Sequence, residues 1–229
     1  MAFSLFSSRN KIANIVLNDH SIRFVELKQK NPVIVNHYGH RYLPPGIISD
    51  GKILDFATLS NILDECIAEW KIAKREIRFI VPDSLVIIRK VSIPGDVKDD
   101  EIDGYLYLEL GSTIHLPFED PVFDTIKLGT ENNKQEILLF AAPEKYILEF
   151  EDLFKSVRLK PVAADISPLA IYRLYHHHDM AVRNEVLLTV QFDLDVVSLC
   201  IFEEQIPVFM RHIPGDLKDN WKLSFRRED

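Results

Sequence analysis

The stretch that decides the fold is IRFIVPDSLVIIRKVSIPGDVKDDEIDGYLYLELGSTIHLPFED, residues 77–120. Two β-rich runs, 77–81 and 86–93, flank a Val-Pro turn, and Pro94-Gly95-Asp96 is turn chemistry that introduces a helix over 99–110. On that helix Ile102, Leu106 and Leu110 share one face, so Glu101, Asp103 and Glu109 read as a solvent-facing acidic side rather than paired carboxylates for acid/base work. Pro117 closes the section. Beyond it, strands fit 122–128 and 136–141 around a hairpin loop at Glu131-Asn132-Asn133-Lys134. Pro143 suits the first turn of a helix carrying Tyr146, Ile147, Phe150, Leu153, Phe154 and Val157 on one face. The order over 77–157 is β, β, α, β, β, α, which describes a small α/β lobe rather than a doubly wound sheet.

Upstream, residues 12–27 read as a hairpin: Ile12, Ile15 and Leu17, a polar turn at Asn18-Asp19-His20-Ser21, then Ile22, Phe24, Val25 and Leu27. A third strand over 33–41 is stopped by Leu43-Pro44-Pro45-Gly46, because neither proline can donate to a ladder. Asp55 is placed to cap a helix whose apolar face is Leu59, Ile62, Leu63, Cys66, Ile67 and Trp70. Downstream, a strand over 162–166 leads to a helix over 168–175. Three β-rich runs then follow at 186–192, 196–202 and 206–213, like a replay of the opening meander, and suggest a duplicated core. The expected organisation is a first subdomain (1–75), an inserted α/β lobe (76–160), a return with a connecting helix (161–180) and the start of a second subdomain (181–229).

Composition excludes several function classes. A formal net charge of −8 over 229 residues, with no Lys/Arg cluster, disfavours nucleic acid as a partner. Cys66 and Cys200 stand far apart, suggesting neither a disulfide framework nor a zinc site. No apolar run approaches the ~20 residues of a membrane span, so a cytoplasmic location is expected. Residues 1–11 (MAFSLFSSRNK) read as a frayed or locally packed terminus. His176-His177-His178-Asp179 reads as a solvated helix end, since useful ligand spacing on a helix is three or four. Ser84, Ser112 and Ser167 lack the Gly-x-Ser-x-Gly elbow of a nucleophile.

Several of these segments, in this order, resemble the PilM family of pilus assembly proteins, relatives of the division protein FtsA and of actin. The resemblance is carried by NIVLNDHSIRFVEL (14–27), YLPPGIISDGKILD (42–55), the stretch 77–120 ending in His115-Leu116-Pro117-Phe118, and LLFAAPEKYILEFEDLFKSVRLKPVAADISPLAIYRLY (138–175). It implies an α/β, actin-like (ribonuclease H-like) core with an inserted small lobe, the second core subdomain being incomplete at the C-terminus.

Actin-like ATPases hold nucleotide between two hairpins that begin Asp-Ile-Gly or similar. Glycines let backbone N–H groups approach phosphate, and acidic residues organise Mg²⁺. Aligned on Val25-Glu26-Leu27, this chain has Val16 at the acidic position and Asn18 at the glycine position. Aligned on Leu199, the second hairpin has Gln191 and Asp193 in those places. The pocket is therefore expected to be degenerate, with no cofactor, no metal and no catalytic residue. ATP with Mg²⁺ enters only under an alternative reading as a weakly binding actin-like ATPase, and a further alternative is an FtsA-like division scaffold.

The resemblance implies a non-catalytic scaffold of a type IV pilus or related system that grips the N-terminal cytoplasmic tail of a PilN-like single-span inner-membrane protein. Other pilus assembly proteins join it, and the partner anchors it beneath the membrane. The groove is expected around Ile87, Val91, Ile102, Leu106, Leu116 and Phe118.

Overall fold

The computed structural model describes residues 12–30, 32–182, 184–194 and 196–215. The reading made on residues 1–11 and the last part of the expected second subdomain, residues 216–229, fall outside them. In chain order the elements are β1 (Ala13–Asn18), β2 (Ser21–Gln29), β3 (Ile34–Tyr42), β4 (Ile48–Ser49), β5 (Lys52–Ile53), α1 (Phe56–Trp70), β6 (Glu76–Val81) and β7 (Ile87–Pro94). They continue with α2 (Ile102–Glu109), β8 (Pro121–Glu131), β9 (Lys134–Pro143), α3 (Glu144–Ser156), β10 (Lys160–Ile166), α4 (Ser167–His177), β11 (Leu187–Phe192), β12 (Val196–Glu203) and β13 (Ile206–Pro214). None of the described helices is long and apolar enough to cross a membrane.

The chain divides into two compact units, residues 1–84 with 148–167, and 85–147 with 168–229. In the first, five strands run in the order β10-β6-β1-β2-β3. β1 pairs antiparallel with β2 and parallel with β6, which pairs parallel with β10. Period-two alternation puts Ala13, Ile15 and Leu17 on the buried side of β1. Ile15 aligns with Phe24 on β2 and Phe79 on β6, so these three side chains form one row. Trp70 of α1 stacks on Phe24 at 4.8 Å, and Phe150 and Phe154 of α3 meet Phe79 at 6.3 and 5.1 Å. The two helices thus cover the same face. Gly39 on β3 is what admits Trp70: a Cβ there would lie 2.4 Å from the indole.

Asp55 caps α1 as expected, its carboxylate accepting from the Thr58 N–H at 3.0 Å and the Thr58 hydroxyl at 2.6 Å. The short β4–β5 hairpin was not anticipated. Its turn residues Asp50 and Gly51 both have positive φ (51° and 72°), the geometry an Asp-Gly pair adopts in a two-residue turn. On β2, between β1 and β3, Glu26 is buried and paired with Arg75 Nη1 at 2.7 Å, and Asn36 Nδ2 donates to its other oxygen. Removing one partner of such a buried pair is strongly destabilising.

In the second unit β7-β9-β8 form an antiparallel sheet. Its core is Ile93, Ile102, Leu106, Ile114, Ile137, Leu139 and Ala141. The β8–β9 turn sits at Asn132-Asn133, both at positive φ (50° and 60°), which Asn tolerates better than most residues. Gln135 Nε2 binds the backbone carbonyls of Pro94, Gly95 and Val97, tying down the approach to α2. In the same unit β11-β12-β13 form a meander on which Tyr172 of α4 stacks against Phe202 at 4.4 Å.

Two boundaries differ from expectation. The lobe does not begin at residue 76, because β6 joins the first sheet between β1 and β10, and residues 148–156 of α3 return to the first unit. The apolar alternation of β6 identifies a strand but carries no information about which sheet it enters. The lobe and the C-terminal meander, expected apart, fall in one compact unit, with β13 lying against β7.

Candidate functional site

The two hairpins expected to correspond to the nucleotide hairpins of actin-like ATPases each carry hydrogen bonds within their own turns. In the first, Asn18 Oδ1 accepts from the Ser21 N–H at 2.8 Å, the His20 N–H at 3.2 Å and the Ser21 hydroxyl at 2.9 Å. Backbone amides at such a turn are the groups that would face a phosphate. Here they face a carboxamide instead. The neighbouring Asp19 carboxylate accepts from the backbone N–H of Asp50 at 2.7 Å and Gly51 at 3.1 Å, so it serves the β4–β5 turn. Val16 lies on β1 opposite Arg23 of β2, on the face away from the Ile15 row.

In the second hairpin Gln191 is half-buried on β11 opposite Ser198. The Asp193 N–H closes the turn on the Val196 carbonyl at 2.9 Å. Asp193 Oδ1 accepts from the Leu194 N–H at 2.8 Å. The two pairs of residues lie in separate compact units, Val16 and Asn18 in the first and Gln191 and Asp193 in the second.

The lobe contains an open groove of about 800 Å³. Its apolar lining includes Leu110, Ile114, Leu116, Phe118 and Pro121, and its rim carries Glu119, Asp120 and Glu144. The wall is built locally. Glu109 at the end of α2 accepts from the Thr113 hydroxyl, Gly111 at φ 83° turns the chain, and the Gly111 N–H donates to the Ile114 carbonyl at 2.9 Å. The Arg89 guanidinium on β7 donates to the His115 carbonyl, and the Glu144 N–H donates to the Asp120 carbonyl at 3.0 Å.

Of the six residues expected to line a groove, the structure brings Leu116 and Phe118 to this one. Ile102 and Leu106 are corrected to core positions: they are 6% and 0% exposed, because the helix face legible in the sequence is the face α2 turns inward. Val91 packs on the same core, and Ile87 lies half-buried on β7 opposite Ala141. Tyr107 and Leu110 lie on the helix over 102–110 to which the groove was expected to belong, whereas sequence reasoning missed Ile114 and the three carboxylates. Glu119-Asp120 follows directly on His115-Leu116-Pro117-Phe118, so their charge was there to be read; Glu144 comes from a distant segment.

His176, His177, His178 and Asp179 are exposed at the end of α4, and among the described residues no three His, Cys, Asp or Glu side chains are placed to share a metal. Ser167 is engaged, its hydroxyl donating to Asp83 at 2.6 Å. Burial pushes the Cys66 thiol above its ordinary range, away from nucleophilic use.

The family model for the type IV pilus assembly protein PilM matches residues 15–214. No curated protein matches the chain in sequence. Among solved structures, a PilM–PilN type IV pilus biogenesis complex superposes with a TM-score of 0.77 at 21% identity, over 95% of this chain and 66% of that one. This chain therefore spans just under two thirds of that protein. The cytoplasmic domain of EpsL, an inner-membrane component of the type II secretion system of Vibrio cholerae, gives a TM-score of 0.56 at 12% identity, over 95% of this chain and 78% of that one. The ethanolamine utilization protein EutJ from Carboxydothermus hydrogenoformans gives 0.51 at 10% identity, over 93% and 57%. The fold is that of the actin-like ATPases. By the match over residues 15–214, this chain belongs to the PilM family of type IV pilus assembly proteins.

Proposed function

We propose that this member of the family is a non-catalytic scaffold of a type IV pilus or related assembly system, and that it holds the N-terminal cytoplasmic tail of a PilN-like inner-membrane protein. The observation that carries the first half is the use of the hairpin amides: His20 and Ser21 donate to Asn18, and Leu194 donates to Asp193. A phosphate arriving at either turn must displace a formed hydrogen bond, and at the second it meets a carboxylate as well. The partner half draws on the printed title of the matched complex, which pairs PilM with PilN. A groove of about 800 Å³ whose lining includes Leu110, Ile114, Leu116 and Phe118 suits an extended peptide, whose side chains fill pockets without any catalytic group. Holding such a tail places the protein at the inner face of the membrane through its partner.

Alanine at Leu116 and at Phe118, both only half-buried and at the groove, tests this reading. Capture of a PilN-like tail peptide is expected to fall for each variant while circular dichroism stays unchanged. Unchanged affinity in both would place the peptide elsewhere.

A further inference from the structure

Resting on that reading, we propose that the groove selects a tail segment in which a Lys or Arg side chain lies next to an apolar one, the cation being read by Glu119, Asp120 and Glu144. Two of the three carboxylates are adjacent in sequence. The third is held beside them, because the Glu144 N–H donates to the Asp120 carbonyl and because Pro121 and Pro143 pair across β8 and β9. All three are exposed and line one cavity. None forms an ion pair among the described residues.

Two cations of the lobe are turned to other tasks. The Lys145 ammonium lies over the Tyr146 ring, 5.6 Å from its centroid, and the Arg89 guanidinium is spent on the His115 carbonyl. Ion pairs form readily elsewhere in the lobe: Lys127 meets Asp99 at 2.6 Å, Lys90 meets Glu136 at 3.3 Å and Lys98 meets Glu101 at 3.3 Å. At this groove three carboxylates without an ion pair among the described residues share one lining with Leu110, Ile114, Leu116 and Phe118. Scattered acidic residues on an acidic protein serve solubility, but three that line one groove with no Lys or Arg among its lining residues give it a negative field. An incoming cation is then steered and held at the rim, and its salt dependence reports the contact.

The test uses the full chain with two N-acetylated peptides, so that no terminal ammonium contributes: the PilN-like tail, and the same tail with every Lys and Arg replaced by Gln. The expected result is about fivefold weaker binding of the neutral peptide at low salt, narrowing as salt rises. The triple variant Glu119→Gln, Asp120→Asn, Glu144→Gln is expected to weaken the basic peptide by a similar factor and leave the neutral one unchanged, whereas Leu116→Ala weakens both. Equal binding of the two peptides, or a triple variant that leaves the basic peptide unaffected, overturns the charge reading while leaving tail capture standing. If neither peptide binds, tail capture and this inference fall together.

Discussion

The two meanders, β1-β2-β3 and β11-β12-β13, carry similar alternating sequences and end in very different surroundings. In the first, Phe24, Ile15 and Phe79 form a row under α1 and α3, and every one of them is buried. In the second, the row made by Leu188, Val190 and Phe192 with Ile201, Leu199 and Val197 continues onto Phe209, Arg211 and Ile213. Leu188, Val190, Phe192, Phe209 and Ile213 all remain exposed. The buried side of this meander is the one holding Thr189, Ser198, Cys200 and Phe202, closed by Tyr172. Alternation therefore announces a strand with two unlike faces, but the helix that covers a face decides how much that face stabilises the fold.

The sharpest way to break this comparison is to hollow both meanders. Phe154→Ala, beneath the first sheet, is expected to cost about 3–5 kcal/mol in chemical denaturation, because the residue is fully buried against Phe79. Phe202→Ala is expected to cost roughly half as much, since a three-stranded sheet open on one side can relax around the gap. Equal costs would mean that cover does not distinguish the two.

Next in size is the first hairpin turn. Asn18→Ala removes three accepted hydrogen bonds and leaves the His20 amide to find water, at about 1 kcal/mol. Faster amide exchange at His20 and Ser21 checks it; unchanged exchange would show that the ladder alone holds the turn. On the exposed row, Leu188→Gln is expected to change stability by less than about 0.5 kcal/mol, and a larger loss would reveal a cover over that face.

The smallest effect is a pH dependence. Hydrogen bonds from Thr58 hold the Asp55 carboxyl below its usual range, and the Ser92 hydroxyl followed by Lys90 does the same for Glu136. A carboxyl with a depressed folded pKa contributes stability that is complete above the unfolded value. That contribution fades as the pH falls through the folded one. Denaturation midpoints are expected to be flat at neutral pH and to drop below about pH 4, with Asp55→Asn flattening part of the drop.

Much of the architecture was legible because its signals are local. Asp55 as a cap, the Asn132-Asn133 turn and the face of α1 each follow from residues within a few positions of one another. The sheet to which β6 belongs was not legible, because parallel pairing with β1 and β10 joins segments more than 60 and 80 residues apart in ways no local pattern records. The β4–β5 hairpin was within reach, since Asp50-Gly51 is a turn signal, but two-residue strands carry too little alternation to be noticed. For the groove, periodicity located α2 correctly and thereby pointed at the wrong side of it: Ile102 and Leu106 are apolar because they face the core. The groove residues lie in the irregular chain after α2, where burial has no period.

Titration calorimetry of Mg-ATP into the full chain tests most directly whether the hairpins have given up the triphosphate. The closed turns at Asn18 and Asp193 predict no saturable heat up to about 1 mM nucleotide. Magnesium-dependent binding at micromolar concentration, lost on substitution of the residues flanking those turns, would contradict it.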